Sequence, residues 1–242
     1  MPGHDGQTGF NRFGDKSYLM TALRLAGRSL PGDYVRTFVY LNLIYKPRLA
    51  LRRLVSTFYR MDHVYAVIGE FKRAYKGPFS ILEFGVADGY AFAKKAYATR
   101  YLGMEDSIVC HGFDSFEGLP EEVGPWTKAD FDLGGRIPSI DDPRVRFYKG
   151  WFSDVLPHYQ VPAHDVLVMN MDADIYSSTA YVLRHFRPWI KQGTYIYFDE
   201  FNHVDQEPRA FHELIESGFR FRLVSTDSTL AFSCFQCTQT AS

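Results

Sequence analysis

Cysteine is scarce: the 242-residue chain has only Cys110, Cys234 and Cys237. An odd count without a secretion signal argues against a disulfide scaffold. Cys234-Phe-Gln-Cys237 has Cys-x-x-Cys form, but no second pair completes a tetrahedral zinc site. It also falls in an apparent strand, where residues three apart face opposite sides. Long apolar runs are lacking too. Phe38 to Tyr45 is the nearest to one, but it is too short to span a bilayer, contains Asn42 and stops at Pro47. Net charge is nearly absent, at −1. No global field therefore favours nucleic acid or an anionic membrane. The Arg48–Arg53 cluster reads as a solvated helix face. The polar, Gly-rich start, MPGHDGQTGF, carries no leader pattern, so a cytoplasmic protein is expected.

Apolar and aromatic residues are plentiful, at 46% and 17%. That suits one large α/β domain, or one domain plus a small appendage. The chain divides near Pro78. Residues 1–77 read as a helical lid or cap, with helices over Tyr18–Leu30 and Tyr34–Tyr45. Met61, Val64, Tyr65, Ile68, Phe71 and Tyr75 then recur at helical spacing. Residues 78–242 alternate strand and helix.

The strands expected are FSILEFGV, SIVCHGF, VRFYKG, DVLVMNMD and TYIYFDE. FRFRLVS and TLAFSCFQC follow, joined only by a turn at TDST, so they pair antiparallel. A helix runs from Gly89 to Leu102. Another is opened by Ser177 or Ser178, and Pro208 suits the first turn of a third. Residues 115–143 form a long Gly/Pro-rich loop of the kind that tends to be functional. This pattern predicts a mainly parallel sheet with helices on both faces and a C-terminal antiparallel hairpin. Such sheets bind ligands beyond the carboxyl ends of their strands.

The strand ends carry the polar chemistry. The first ends in Glu83-Phe-Gly85-Val-Ala87-Asp-Gly89, where glycines let a ligand approach the main chain. Any strand-to-helix turn can hold two glycines, and the Gly-x-Gly-x-x-Gly of NAD-binding proteins is absent. The second ends in Asp114-Ser115. A carboxylate there suits ribose hydroxyls, or else it caps a turn. The third ends in Gly150-Trp151-Phe152, whose rings either pack on a purine or anchor a short helix. The fourth and fifth end in Asp172-Ala-Asp174 and Asp199-Glu200. If the strand persists, Asp172 and Asp174 share a face. Clustered carboxylates raise each other's pKa, and a hard cation such as Mg²⁺ relieves that. Alternatively each pair caps its own helix or pairs with Arg184 or Arg209.

EFGVADG, GFDSFEGLPE, KGWFSDVLP, MDADIYSST and YFDEF together resemble class I S-adenosylmethionine-dependent methyltransferases. More narrowly, they resemble the macrocin O-methyltransferase family of antibiotic-sugar tailoring enzymes. The resemblance covers residues 81 to about 202. It implies a Rossmann-like fold, S-adenosylmethionine as cofactor and a small-molecule hydroxyl acceptor. It implies cofactor binding by Glu83, Gly85, Ala87, Gly89, Asp114, Ser115, Gly150, Trp151 and Phe152. It also implies Asp172, Asp199 and Glu200 as Mg²⁺ ligands and Asp174 as general base. Two places depart from the family pattern: Glu200 stands where a second Asp is usual, and Ala87-Asp88 where an aromatic and an arginine are often found. The lid and the 115–143 loop are expected to form the acceptor pocket, and the lid to offer a homodimer surface. The rival readings are an NAD-dependent oxidoreductase, a metal-independent methyltransferase and a non-catalytic cofactor-binding protein. A nucleic-acid substrate does not fit the charge balance.

Overall fold

The computed structural model describes residues 70–74, 77–101, 103–104, 106, 108–226 and 230–241. The lid expected over 1–77 therefore lies almost wholly outside the described residues. Residues 70–74 are helical, in keeping with the periodicity that runs up to Tyr75.

Five parallel strands come first: β1 (Phe79–Phe84), β2 (Ile108–Asp114), β3 (Val145–Lys149), β4 (Val166–Met171) and β5 (Tyr195–Phe198). Helix α1 (Tyr90–Tyr101) follows β1, α2 (Phe152–Val155) follows β3, and α3 (Tyr176–Phe186) follows β4. After β5 come α4 (Glu207–Glu216), β6 (Arg220–Thr226) and β7 (Ser233–Gln239). The sheet order is β3-β2-β1-β4-β5-β7-β6, with β7 antiparallel to both neighbours. This is the mainly parallel sheet with a terminal antiparallel pair that the strand pattern predicts.

Every residue of β1 and β4 is buried. Strands covered on both faces read as continuous apolar runs, which is why these two lack alternation. The period of two still sorts their side chains. Phe79 and Ile81 join Phe92 and Ala96 of α1 in one core; Leu82 and Phe84 join Val182 and Phe186 of α3 in the other. Phe84 stacks on Phe113 and meets Phe186 edge-on, each at 5.1 Å between ring centres. Truncating a buried ring of this kind costs about 3–5 kcal/mol. Cys234 and Cys237 belong to different cores. Burial pushes both thiols up, the opposite of what a reactive thiolate needs.

Two local expectations change. Strand β4 stops at Met171, so Asp172 and Asp174 do not share a strand face; the chain turns between them. Helix α3 opens at Tyr176 rather than at a serine, and its N-cap, Ile175, makes no side-chain cap. Instead Gln206 Oε1 accepts the Tyr176 N–H at 2.8 Å. A distant side chain thus takes the place of a local Ser cap, satisfying one of the helix's open amides. No described helix is long and apolar enough to cross a membrane.

Candidate active site

A cavity of about 580 Å³ opens beyond the carboxyl ends of the parallel strands. One wall is the turn after β1. Gly85 has φ +91°, and a Cβ there would strike the Asp172 carbonyl. Glycine is thus what lets the β1 turn lie against the end of β4. Asp114, at the end of β2, organises the same turn. Its Oδ2 accepts Val86 N–H at 2.7 Å and Ala87 N–H at 2.8 Å, and its Oδ1 accepts Phe116 N–H at 2.6 Å. Asp114 lines the cavity and ties down two turns. Ser115 Oγ accepts Glu117 N–H and donates to the Gly118 carbonyl, holding the start of the long loop.

Gly85, Ala87, Asp114 and Ser115 line the cavity, as do Gly150, Trp151 and Phe152. Phe152 also packs edge-on against Phe84 at 6.0 Å, so it anchors α2 while facing the opening. Two expected residues are not in the lining. Gly89 starts α1 behind the turn, its N–H on the Val86 carbonyl. Glu83 is fully buried below the floor. Its Oε2 receives Lys95 Nζ at 2.7 Å, while its Oε1 has no partner among the described residues. Burial raises the Glu83 pKa and the Lys95 ammonium opposes the rise.

The wall beside the β1 turn is acidic: Asp172, Asp174, Asp199 and Glu200 all border the cavity. Asp172 is held well above the usual carboxylate range, first by burial and then by the charge of Asp199. Lys95 opposes this, and Glu83 and Asp174 add to it. Asp174 is buried and sits at φ +61°. Ile175 N–H closes on the Ala173 carbonyl at 2.6 Å, making a three-residue γ-turn with Asp174 at its apex. Such turns are rare and strained, and strain of this kind collects at functional sites. Glu200 turns its carboxylate to His203, with Oε2 3.3 Å from Nε2. Among the described residues, no three His, Cys, Asp or Glu side chains are already gathered as a metal site.

Arg209 lies over the Tyr176 ring at 3.9 Å, and the Tyr176 hydroxyl donates to Glu213 at 2.6 Å. Tyr176 is thus part of the joint between α3 and α4.

Some residues at the site were not singled out from sequence. Glu207 is fully buried beside the acids, its Oε2 accepting the Glu200 N–H at 3.1 Å and its Oε1 without a partner among the described residues. Burial and Asp174 hold its pKa well above normal. Its place before Pro208 reads only as helix entry. From the long loop, Leu119, Trp126 and Phe131 face the cavity, and from α3 Ser177 and Tyr181. The loop's length was the signal for the first group.

A family model described as Macrocin-O-methyltransferase (TylF) matches residues 46–220. The chain belongs to the macrocin-O-methyltransferase family. It is 38% identical over 142 residues to the demethyldecarbamoylnovobiocin O-methyltransferase of Streptomyces niveus, covering 51% of this chain and 53% of that protein. It is 30% identical over 111 residues to the 8-demethyl-8-(2,3-dimethoxy-alpha-L-rhamnosyl)-tetracenomycin-C 4'-O-methyltransferase of Streptomyces olivaceus, covering 36% of this chain and 40% of that protein. The matches thus span about half, or less, of the length of these relatives. The O-methyltransferase NovP has a similar structure, with 25% identity, a TM-score of 0.53, and coverage of 74% of this chain and 77% of that one. The calicheamicin methyltransferase CalS11 shares the fold, at 20% identity and a TM-score of 0.57, over 88% of this chain and 95% of that one. In this family member the class I methyltransferase sheet is complete through its C-terminal antiparallel pair.

Proposed function

We propose that the protein is an S-adenosylmethionine-dependent O-methyltransferase. Its acceptor is a hydroxyl of a small molecule, a sugar or a natural product. The observation that carries this reading is one cavity with an amide-bound glycine turn on one wall and crowded carboxylates on the other. The residues at the first wall fit the cofactor. The turn admits close approach at Gly85 and Ala87, Asp114 borders the opening, and Trp151 and Phe152 offer aromatic surface. When bound, the cofactor supplies an electrophilic methyl on a sulfonium. The chain then has to orient an acceptor oxygen and remove its proton. Orientation alone lowers such barriers by several kcal/mol, about 7–11 in the best-aligned cases. Asp174, which borders the cavity at the apex of its turn, accepts the proton.

The acidic wall fits a hard divalent cation in its chemistry: every donor is a carboxylate oxygen, and Asp172 and Asp199 share a charge repulsion that a cation relieves. Asp172, Asp199 and Glu200 would hold Mg²⁺, which would supply positive charge near the acceptor hydroxyl. One observation favours a metal-independent version of the same reaction: Lys95 already opposes the raised pKa of both Asp172 and Glu83. A non-catalytic cofactor-binding protein has no use for the strained Asp174.

The test is formation of S-adenosylhomocysteine with glycosylated natural products and phenols as acceptors, before and after chelation. Transfer that stops with chelator and returns with Mg²⁺ supports the full reading. Transfer indifferent to chelator leaves the metal-independent enzyme. Cofactor binding without transfer to any acceptor overturns the enzymatic reading.

A further inference from the structure

Trp126 lies in the long connection between β2 and β3, is 3% exposed, and lines the cavity. Its backbone exchanges two hydrogen bonds with Val123, each 3.0 Å, so a tight turn fixes where the indole points. Glu121, just before it, receives a hydrogen bond from Ser177 at the start of α3. The indole meets the His203 ring edge-on, with centres 4.7 Å apart and planes at 69°. His203 follows β5, and its N–H closes on the Glu200 carbonyl at 3.1 Å. Its Nε2 lies 3.3 Å from Glu200 Oε2. Three side chains in series therefore run from the loop to one of the cavity acids. His203 itself does not line the cavity, so it cannot act by touching a ligand there.

We propose that Trp126 and His203 are positioning residues that set the direction of the Glu200 carboxylate and couple the 115–144 connection to the acidic wall. The part concerning the cation rests on the function proposed above. Partners that orient a ligating carboxylate tune metal affinity from outside the coordination sphere. Coupling of this kind is reciprocal: whatever steadies Glu200 also steadies the loop.

The experiment has two arms. The first needs no metal. Trypsin cleavage after the exposed Lys128 reports on the loop. Trp126→Ala and His203→Ala each speed it about tenfold, and the double variant is no faster than either single, because one shared contact is already broken. Additive acceleration overturns the coupling. In the second arm, Mg²⁺ is titrated calorimetrically into enzyme holding S-adenosylhomocysteine. His203→Ala weakens Mg²⁺ about tenfold or more, with unchanged affinity for S-adenosylhomocysteine. His203→Gln keeps an N–H donor within reach of Glu200, so it restores most of the Mg²⁺ affinity. It lacks the ring that meets Trp126, so cleavage stays fast. Unchanged or tighter Mg²⁺ binding in His203→Ala overturns the positioning role. Wild-type enzyme that binds no Mg²⁺ overturns the metal reading alone, and the cleavage arm still decides the coupling. If His203→Ala does not fold, His203→Phe, which keeps a ring against Trp126 but offers Glu200 no donor, carries the Mg²⁺ arm, and His203→Gln carries the cleavage arm.

Discussion

At the glycine-turn wall, Asp114 spends its charge on three backbone amides, all within 2.8 Å. At the acidic wall, Asp172 faces Asp199, Glu83 and Asp174, and its pKa is driven up. Glu207 beside them is buried with one oxygen unpartnered among the described residues and is driven up as well. The first carboxylate strengthens the fold. The others are carried at a cost, because buried charge without full compensation destabilises the native state. An aspartate at a strand end can thus be a structural tie or a chemical tool, and its hydrogen-bond partners tell which.

Variants at the two walls should therefore differ in kind. The largest effect is expected at Asp174. Asp174→Asn lowers kcat by about 10²–10⁴-fold, the usual contribution of a general base. Affinity for S-adenosylhomocysteine, measured by calorimetry, stays at the wild-type level. Loss of cofactor binding in that variant would erase the division between the walls. Next comes Asp114→Ala. It strands amides that a carboxylate now serves, at about 1.5–3 kcal/mol for a hydrogen bond to a charged group. Denaturant unfolding should show that loss of stability together with weaker cofactor binding.

Asp172→Asn should act in the opposite direction on stability. Removing the repelled charge raises Tm by roughly 2–4 °C for each kcal/mol relieved, while methyl transfer falls. The sign follows from linkage. The folded pKa of Asp172 lies above its unfolded value, so its stabilising protonated form is complete only below the unfolded value. That contribution is lost as pH rises through the folded value. The Tm gap between Asp172→Asn and wild type should therefore be widest at high pH and close as pH falls. His111, whose pKa burial lowers to about 4, loses stability toward acid in both proteins and cancels in the difference. The smallest effect is expected for Cys237→Ser, a buried thiol remote from the cavity. It should cost some stability and leave transfer and cofactor affinity unchanged, because Cys234 and Cys237 are turned into different cores.

Much of this was legible before any coordinates. Strands β1, β4 and β5 are short, largely apolar runs, and the carboxyl ends of β1 to β5 are marked by Gly85, Asp114, Gly150, Asp172 and Asp199. Those residues meet because the parallel topology brings strand ends to one edge, a rule of the fold class that spacing can invoke. What sequence could not show is partner choice. Whether Asp114 serves amides or solvent depends on how closely the Gly85 turn packs. That Glu83 points under the floor depends on its face of β1 and on Lys95. The γ-turn at Asp174 looks like continued strand in one-letter code. Trp126, His203 and Glu207 are separated from the acids by loops and a helix, and only folding joins them.

The most direct measurement is thermal unfolding of wild type and Asp172→Asn, each with and without Mg²⁺, at pH 8 with S-adenosylhomocysteine present. A wall of mutually repelling carboxylates that serves as a cation site predicts that the metal-free variant melts above metal-free wild type. It also predicts that Mg²⁺ raises the wild-type Tm but not that of the variant. A variant that melts below wild type, with Mg²⁺ moving neither protein, would contradict it.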